Sequence, residues 1–228
     1  MSLARQHFLR ASAAMAAPAP ESALRLPVHE QMLAQLRQAQ VALKQLQSVE
    51  RKIERKRALL PAFAAYVEGI VEGDSGHQDE VLTTVMVWRL DTGDLAGALP
   101  LAEYALRHGL RLPERYKRTL GTVVVEETAD QALAMLAAGQ VPDVAALYRV
   151  QALTEAEDMP DQVRARLHKA LGLAHAQAPD DEPQEDTVRR CQAALQQLHR
   201  ATALDARSGV KKDIERLESA LKRASSQR

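Results

Sequence analysis

Aromatic side chains make up only 3% of this 228-residue chain, with two phenylalanines, four tyrosines and one tryptophan. Its core must therefore be filled mainly by aliphatic side chains, and Ala and Leu dominate the composition. Both lose little side-chain freedom in a helix. Segments rich in Val, Ile and Thr are nearly missing, and Thr122 to Val125 is the one β-like run, so a large sheet is not expected. Cys191 is the only cysteine, which rules out a disulfide within the chain and leaves no basis for a cysteine zinc site. No apolar run reaches the roughly 18 residues a membrane-spanning helix needs. The stretch from Arg5 to Pro20 is basic and alanine-rich, but too weakly hydrophobic to read as a signal peptide. These absences point to a soluble, cytoplasmic, helical protein.

A formal net charge of zero conceals a pattern along the chain. Residues 1–57 carry ten Lys/Arg against four Asp/Glu, a balance of +6. Residues 58–199 carry twelve against twenty-two, or −10, and residues 200–228 carry eight against four, or +4. Basic ends suit nucleic acid, or the acidic middle of a neighbouring subunit, and solvated helix faces are the plainer explanation.

Hydrophobic periodicity divides the chain. Residues 1–27 read as a flexible arm, interrupted by Pro18, Pro20 and Pro27, with room for a short helix from Ser2 to Met15. Residues 28–58 read as one long amphipathic helix. Met32, Leu36, Ala39, Leu43, Leu46 and Ile53 recur at spacings close to a heptad, a seam that suits either the chain's own core or subunit contact. Residues 59–178 read as a helical core, 179–187 as an exposed acidic linker, and 188–228 as a C-terminal helical hairpin. Within the core, "TVMVWRLDTGDLAGALPLAEYALRHGL" holds a Gly93-Asp94 turn between two helices, Asp79–Leu90 and Leu95–His108, with Gly109 at the C-cap. Ala98 and Ala105 allow close helix approach, as in the second helix of a tetratricopeptide-type hairpin, and Ala194 and Ala201 repeat that spacing. The expected fold is all-α: a long N-terminal helix plus stacked hairpins with tetratricopeptide-like packing.

The visible chemistry is sparse. There is no phosphate-binding loop of the Walker type and no His-Glu-x-x-His. His168 and His175, seven apart, could share a helix face, but packing explains such a pair better than a metal does. A metal-dependent nuclease needs converging carboxylates. Asp74, Asp79 and Glu80 cluster in sequence, as do Glu126, Glu127 and Asp130, and helix caps and solvated faces account for both sets equally well. Two basic clusters could meet DNA phosphates: Arg51, Lys52, Arg55, Lys56 and Arg57, and the 107–118 stretch with Arg115, Lys117 and Arg118 around Tyr116. Cations close to a helix C-terminus are also favourable on their own account, so the first cluster has a purely structural reading too.

Several long strings carry a family resemblance. "TVMVWRLDTGDLAGAL", "AEYALRHGL", "AEDMPDQVRARLHKALGL" and "LHRATALDARSGVKKDIERLE", with "RQHFLRASAAMAA" and "VHEQML" ahead of them, resemble in order the small terminase subunit of temperate contractile-tailed phages (gpM type), often labelled the terminase endonuclease subunit. The resemblance implies a subunit in the host cytoplasm that binds double-stranded viral DNA at the cohesive-end packaging site and forms a homo-oligomeric ring. It also implies recruitment of the large ATPase subunit. For the oligomer, the periodic seam of Met32, Leu36, Leu43, Leu46 and Ile53 is the expected subunit contact. The label implies cohesive-end cleavage as well, which would call for Mg2+; without it no cofactor is expected. The residues themselves display no nuclease constellation.

Overall fold

The computed structural model of the chain describes residues 2–14, 26–177 and 184–226. Among them are eleven α-helices and no strand, so the fold is all-α. The chain divides into two compact units, Met1–Leu120 and Gly121–Arg228.

The first unit contains α1 (Leu3–Ala14), α2 (Leu26–Lys44), α3 (Val49–Leu59), a single 3₁₀ turn (Leu60–Ala62), α4 (Ala64–Gly73), α5 (Glu80–Asp91) and α6 (Leu95–Arg107). The one long helix expected over 28–58 is instead two. The amides of Gln45 and Leu46 bond back three residues, to Ala42 and Leu43, and tighten the end of α2. Ser48 then turns extended, and its hydroxyl accepts from the Arg51 amide at 3.3 Å as the N-cap of α3. A serine followed by Val49-Glu50 was the available signal for this break; without Gly or Pro the periodicity runs straight over it.

Helix α5 explains the core of this unit. Every residue from Val81 to Trp88 is buried, so α5 has no solvent face and hence no amphipathic stripe. Phe63 and Trp88 meet edge to face at 6.0 Å. From α2, Met32 and Leu36 are 2% and 0% exposed. The turn between α5 and α6 is built as the sequence suggests: Gly93 takes φ +80°, the Asp94 carboxylate accepts from the Gly97 amide at 2.9 Å, and Ala98 and Ala105 are wholly buried.

At the start of α5, the Asp79 side chain caps the Leu82 amide at 2.8 Å. The same carboxylate accepts the Tyr66 hydroxyl at 2.7 Å and lies 3.2 Å from His29 Nδ1. Burial pushes the Asp79 carboxyl up, but the hydrogen bonds from His29, Leu82 and Tyr66 outweigh it and hold the group below its ordinary value. Three helices are thereby pinned at one carboxylate.

Within the stretch read as a flexible arm, the short helix expected from Ser2 to Met15 is present as α1 (Leu3–Ala14). Helix α1 packs along α4 with Leu9 and Ala13 buried, while residues 15–25 lie outside the described residues. Gly69 permits this approach: a Cβ there would stand 2.3 Å from the Arg10 carbonyl oxygen and 2.8 Å from Ala13 Cβ.

The second unit contains α7 (Leu120–Ala137), α8 (Val144–Leu153), α9 (Asp161–Ala176), α10 (Gln184–Leu204) and α11 (Lys211–Ser226). The β-like run Thr122–Val125 lies inside α7, where all four residues are buried; their packing overrides the mild helix penalty of β-branched side chains. Helices α9 and α10 pack closely at Gly172, where a Cβ would meet Leu198 Cδ2 at 2.5 Å. Ala194 and Ala201 in α10 are fully buried, and Leu217 of α11 closes a cluster with Cys191, Leu195, Leu198 and Val210. Of the acidic stretch expected over 179–187, residues 179–183 lie outside the described residues and Gln184–Thr187 begin α10.

Two histidines join α8, α9 and α10. His168 Nδ1 donates to Gln197 Oε1 at 2.7 Å, and Tyr148 Oη meets His175 Nε2 at 2.9 Å. Burial holds both imidazoles below their ordinary value, helped at His168 by Arg200 and Arg164 and at His175 by Arg190.

Two outcomes follow. Gly69→Ala should gain about 1 kcal/mol of helix propensity yet lose about 1–3 kcal/mol to overpacking, with the loss appearing as faster amide exchange and proteolysis confined to residues 3–14. For pH, the unfolded histidines titrate near about 6.5 and the folded ones lower, so the unfolded chain binds more protons between those values. Stability is complete above that window and falls as pH drops through it. Urea midpoints should decline from pH 7.5 to 5, and a His168→Gln/His175→Gln variant should decline less steeply.

Candidate nucleic-acid interface

Helix α3 is the most basic element of the first unit, with five Lys/Arg and two Glu in eleven residues, and none of its residues is buried. Its five cations divide by environment. Lys56 Nζ lies 2.5 Å from Asp91 Oδ2, with both side chains only 18% and 24% exposed. Arg57 donates through Nη2 to the Thr92 carbonyl at 3.1 Å. Both lie in the last turn of α3, where cations also complement the helix dipole. Arg51, Lys52 and Arg55 have no side-chain partner among the described residues; Arg51 and Arg55, four apart, share one exposed face.

The 107–118 stretch is also anchored before it is basic. The Gln78 side chain donates to the Arg111 carbonyl at 2.7 Å and accepts from the Arg111 amide at 2.8 Å. Arg115 donates to Glu80 at 2.9 Å and to the Thr84 hydroxyl at 2.7 Å, and its guanidinium lies 5.0 Å from the Tyr116 ring centre. Lys117 and Arg118 are exposed. Arg107 pairs with Asp74, and His108 Nε2 meets the same carboxylate at 2.8 Å. The hydrogen bond from His108 holds Asp74 below the usual carboxylate range, with Arg107 adding to it.

The acidic clusters are occupied by such work. Asp74 is the left-handed C-cap of α4, Asp79 caps α5 and Glu80 holds Arg115. Glu126 and Asp130 both face Arg166, at 3.8 and 2.9 Å. Among the described residues no three His, Cys, Asp or Glu side chains converge as a metal-binding group.

Of the seam residues expected to join subunits, Met32, Leu36 and Leu43 are buried by the chain itself, and Leu46 and Ile53 are half-buried on either side of the α2–α3 break. The break takes Ile53 out of register with the α2 stripe. The exposed apolar side chains of this unit lie elsewhere: Leu3 and Phe8 on α1, Val41 on α2 and Val49 on α3. Sequence reading missed Asp91, Tyr66 and the amide clamp of Gln78. Each acts on a partner more than thirty positions away or, for Tyr66 and Asp79, across a turn, and no local motif marks such pairs.

The family model of the phage small terminase subunit matches residues 33–162. The "Terminase, endonuclease subunit" of Escherichia phage P2 is 46% identical over 220 residues, covering 96% of this chain and 85% of that protein. The "Probable terminase, endonuclease subunit" of Haemophilus phage HP1 (strain HP1c1) is 26% identical over 175 residues, covering 72% of this chain and 60% of the relative. No solved structure matches the chain. With the family model spanning more than half its length and a relative this similar along nearly all of it, the chain belongs to the phage small terminase subunit family, whose role lies in phage DNA packaging.

Proposed function

We propose that this chain is the DNA-recognition subunit of a phage packaging terminase. It binds double-stranded viral DNA at the cohesive-end packaging site, assembles as a homo-oligomer and recruits the large ATPase subunit. The observation that carries the DNA reading is the exposed face of α3, where Arg51 and Arg55, with half-buried Lys52 beside them, have no side-chain partner among the described residues on a helix anchored from its other end. Cations displayed on a helix whose backbone is already ordered neutralise phosphates and release counterions. Lys117 and Arg118, on the clamped loop of the same unit, supply a second phosphate contact. Self-association draws on the exposed Leu3, Phe8, Val41 and Val49, since burying such side chains against a second copy is favourable. The hairpins α5–α6 and α9–α10, with buried alanines at matching spacing, support a tetratricopeptide-like packing.

A second reading is favoured by the relatives' names: the chain itself cuts concatemeric DNA at the cohesive ends with a divalent metal. The two readings separate by assay.

Purified protein should retard cohesive-end duplex DNA at low salt. Arg51→Gln/Arg55→Gln should weaken that binding and lower the slope of log K against log salt by about two, near one per phosphate contact removed. An unchanged slope would remove α3 from the DNA surface. Incubated with end-site DNA and Mg2+ or Mn2+ but no large subunit, the protein should leave the DNA intact; nicking by homogeneous protein would establish the endonuclease reading instead.

A further inference from the structure

The five cations of α3 do two different jobs, and the division points to a residue outside the helix. Helix α3 buries none of its side chains, so little apolar packing fixes its direction. Besides its Ser48 cap and its run into the Leu60–Ala62 turn, it is tethered by polar contacts from the end of α5 and the turn that follows. Asp91 receives Lys56 at 2.5 Å in a mostly shielded setting, and the Thr92 carbonyl receives Arg57 at 3.1 Å. That turn is itself rigid. Thr92 bonds back through both its amide and its hydroxyl to the Arg89 carbonyl, Arg89 pairs with Asp94 at 2.8 Å, and Asp94 caps α6. Gly97 lies so close beneath this pair that a Cβ would stand 1.7 Å from Arg89 Nη1. A charge-assisted hydrogen bond that is partly withdrawn from water is stronger and more directional than an exposed one.

We infer that Asp91 is a positioning residue for duplex DNA: through Lys56 it aims α3 so that Arg51, Lys52 and Arg55 meet the phosphates together. The inference rests on the reading of α3 as the DNA-contacting helix. It also reverses a simple expectation. Asp91 is a carboxylate near a surface meant for a polyanion, so on charge alone its removal should tighten binding. If it positions α3, its removal weakens binding.

The test is DNA affinity at one fixed low salt for the full chain and three variants: Asp91→Asn, Lys56→Asp, and Lys56→Asp with Asp91→Lys. Asp91→Asn should bind about tenfold more weakly, the scale of one charge-assisted hydrogen bond, and its α3 amides should exchange faster while α5 and α6 keep their protection. The double variant restores the pair in reverse with the net charge of the native chain, and should recover most of the affinity that Lys56→Asp loses. Native protein that ignores DNA would sink the α3 reading itself. Native protein that binds, with Asp91→Asn binding equally or more tightly, would overturn the positioning role alone. Should Asp91→Asn also lose protection in α5 and α6, the double variant decides: recovery upholds the role and no recovery ends it.

Discussion

The first unit depends on the complete enclosure of α5. A helix buried on every side cannot choose its orientation through an apolar stripe, so its ends must be fixed by polar contacts. Asp79 does this at the N-terminus, where one carboxylate gathers a backbone amide, a tyrosine hydroxyl and a histidine. Asp91 and Thr92 do it at the other end by receiving two cations of α3. The desolvation of Asp79 is offset by its three donors, and removing any one would leave buried polarity unmet. Two carboxylates thus fix the ends of a mostly apolar, enclosed helix.

That constraint explains why a helix as polar as α3 is ordered at all. Its sequence, "VERKIERKRAL", offers no apolar face wide enough to hold it, and eleven residues fall short of the length at which an isolated helix persists in water. It is held by its Ser48 cap and by the polar tether at its C-terminal turn. A helix held by charge at one end and open along one face can present several cations to a polyanion without disturbing the core. The same elements thereby connect the hydrophobic enclosure of α5 to the surface that α3 displays.

Much of this was legible in the sequence. The helical class, the Gly93-Asp94 clasp with its buried alanines and the glycine that closes α6 all follow from local rules about propensity and turn conformation. The failures share a cause. The α2–α3 break rests on a single serine cap, and the apolar spacing carries on across it as though the helix were continuous. Thr122–Val125 looks like a strand because β-branched residues favour one, yet burial in a helical unit decides the outcome. The basic cluster was legible as a composition but not as a division of labour, since neither Asp91 nor Thr92 announces that it will meet a helix thirty-five positions earlier.

The acidic residues point the same way. Read along the chain, carboxylates that fall near one another suggest a metal site. In the folded protein Asp74, Asp79, Glu80, Glu126 and Asp130 each face a cation, an amide or a hydroxyl of the chain itself. A carboxylate that already accepts strong hydrogen bonds gains less from a metal than a free one, because those bonds must be given up first. Asp74, Asp79 and Glu80 therefore contribute to the order of the first unit's helices, while on α3 the exposed Arg51 and Arg55 stand beside the exposed Glu50 and Glu54. Asp91 joins the two, since it takes up Lys56 at the shielded end of α3 and leaves Arg51 and Arg55 facing outward.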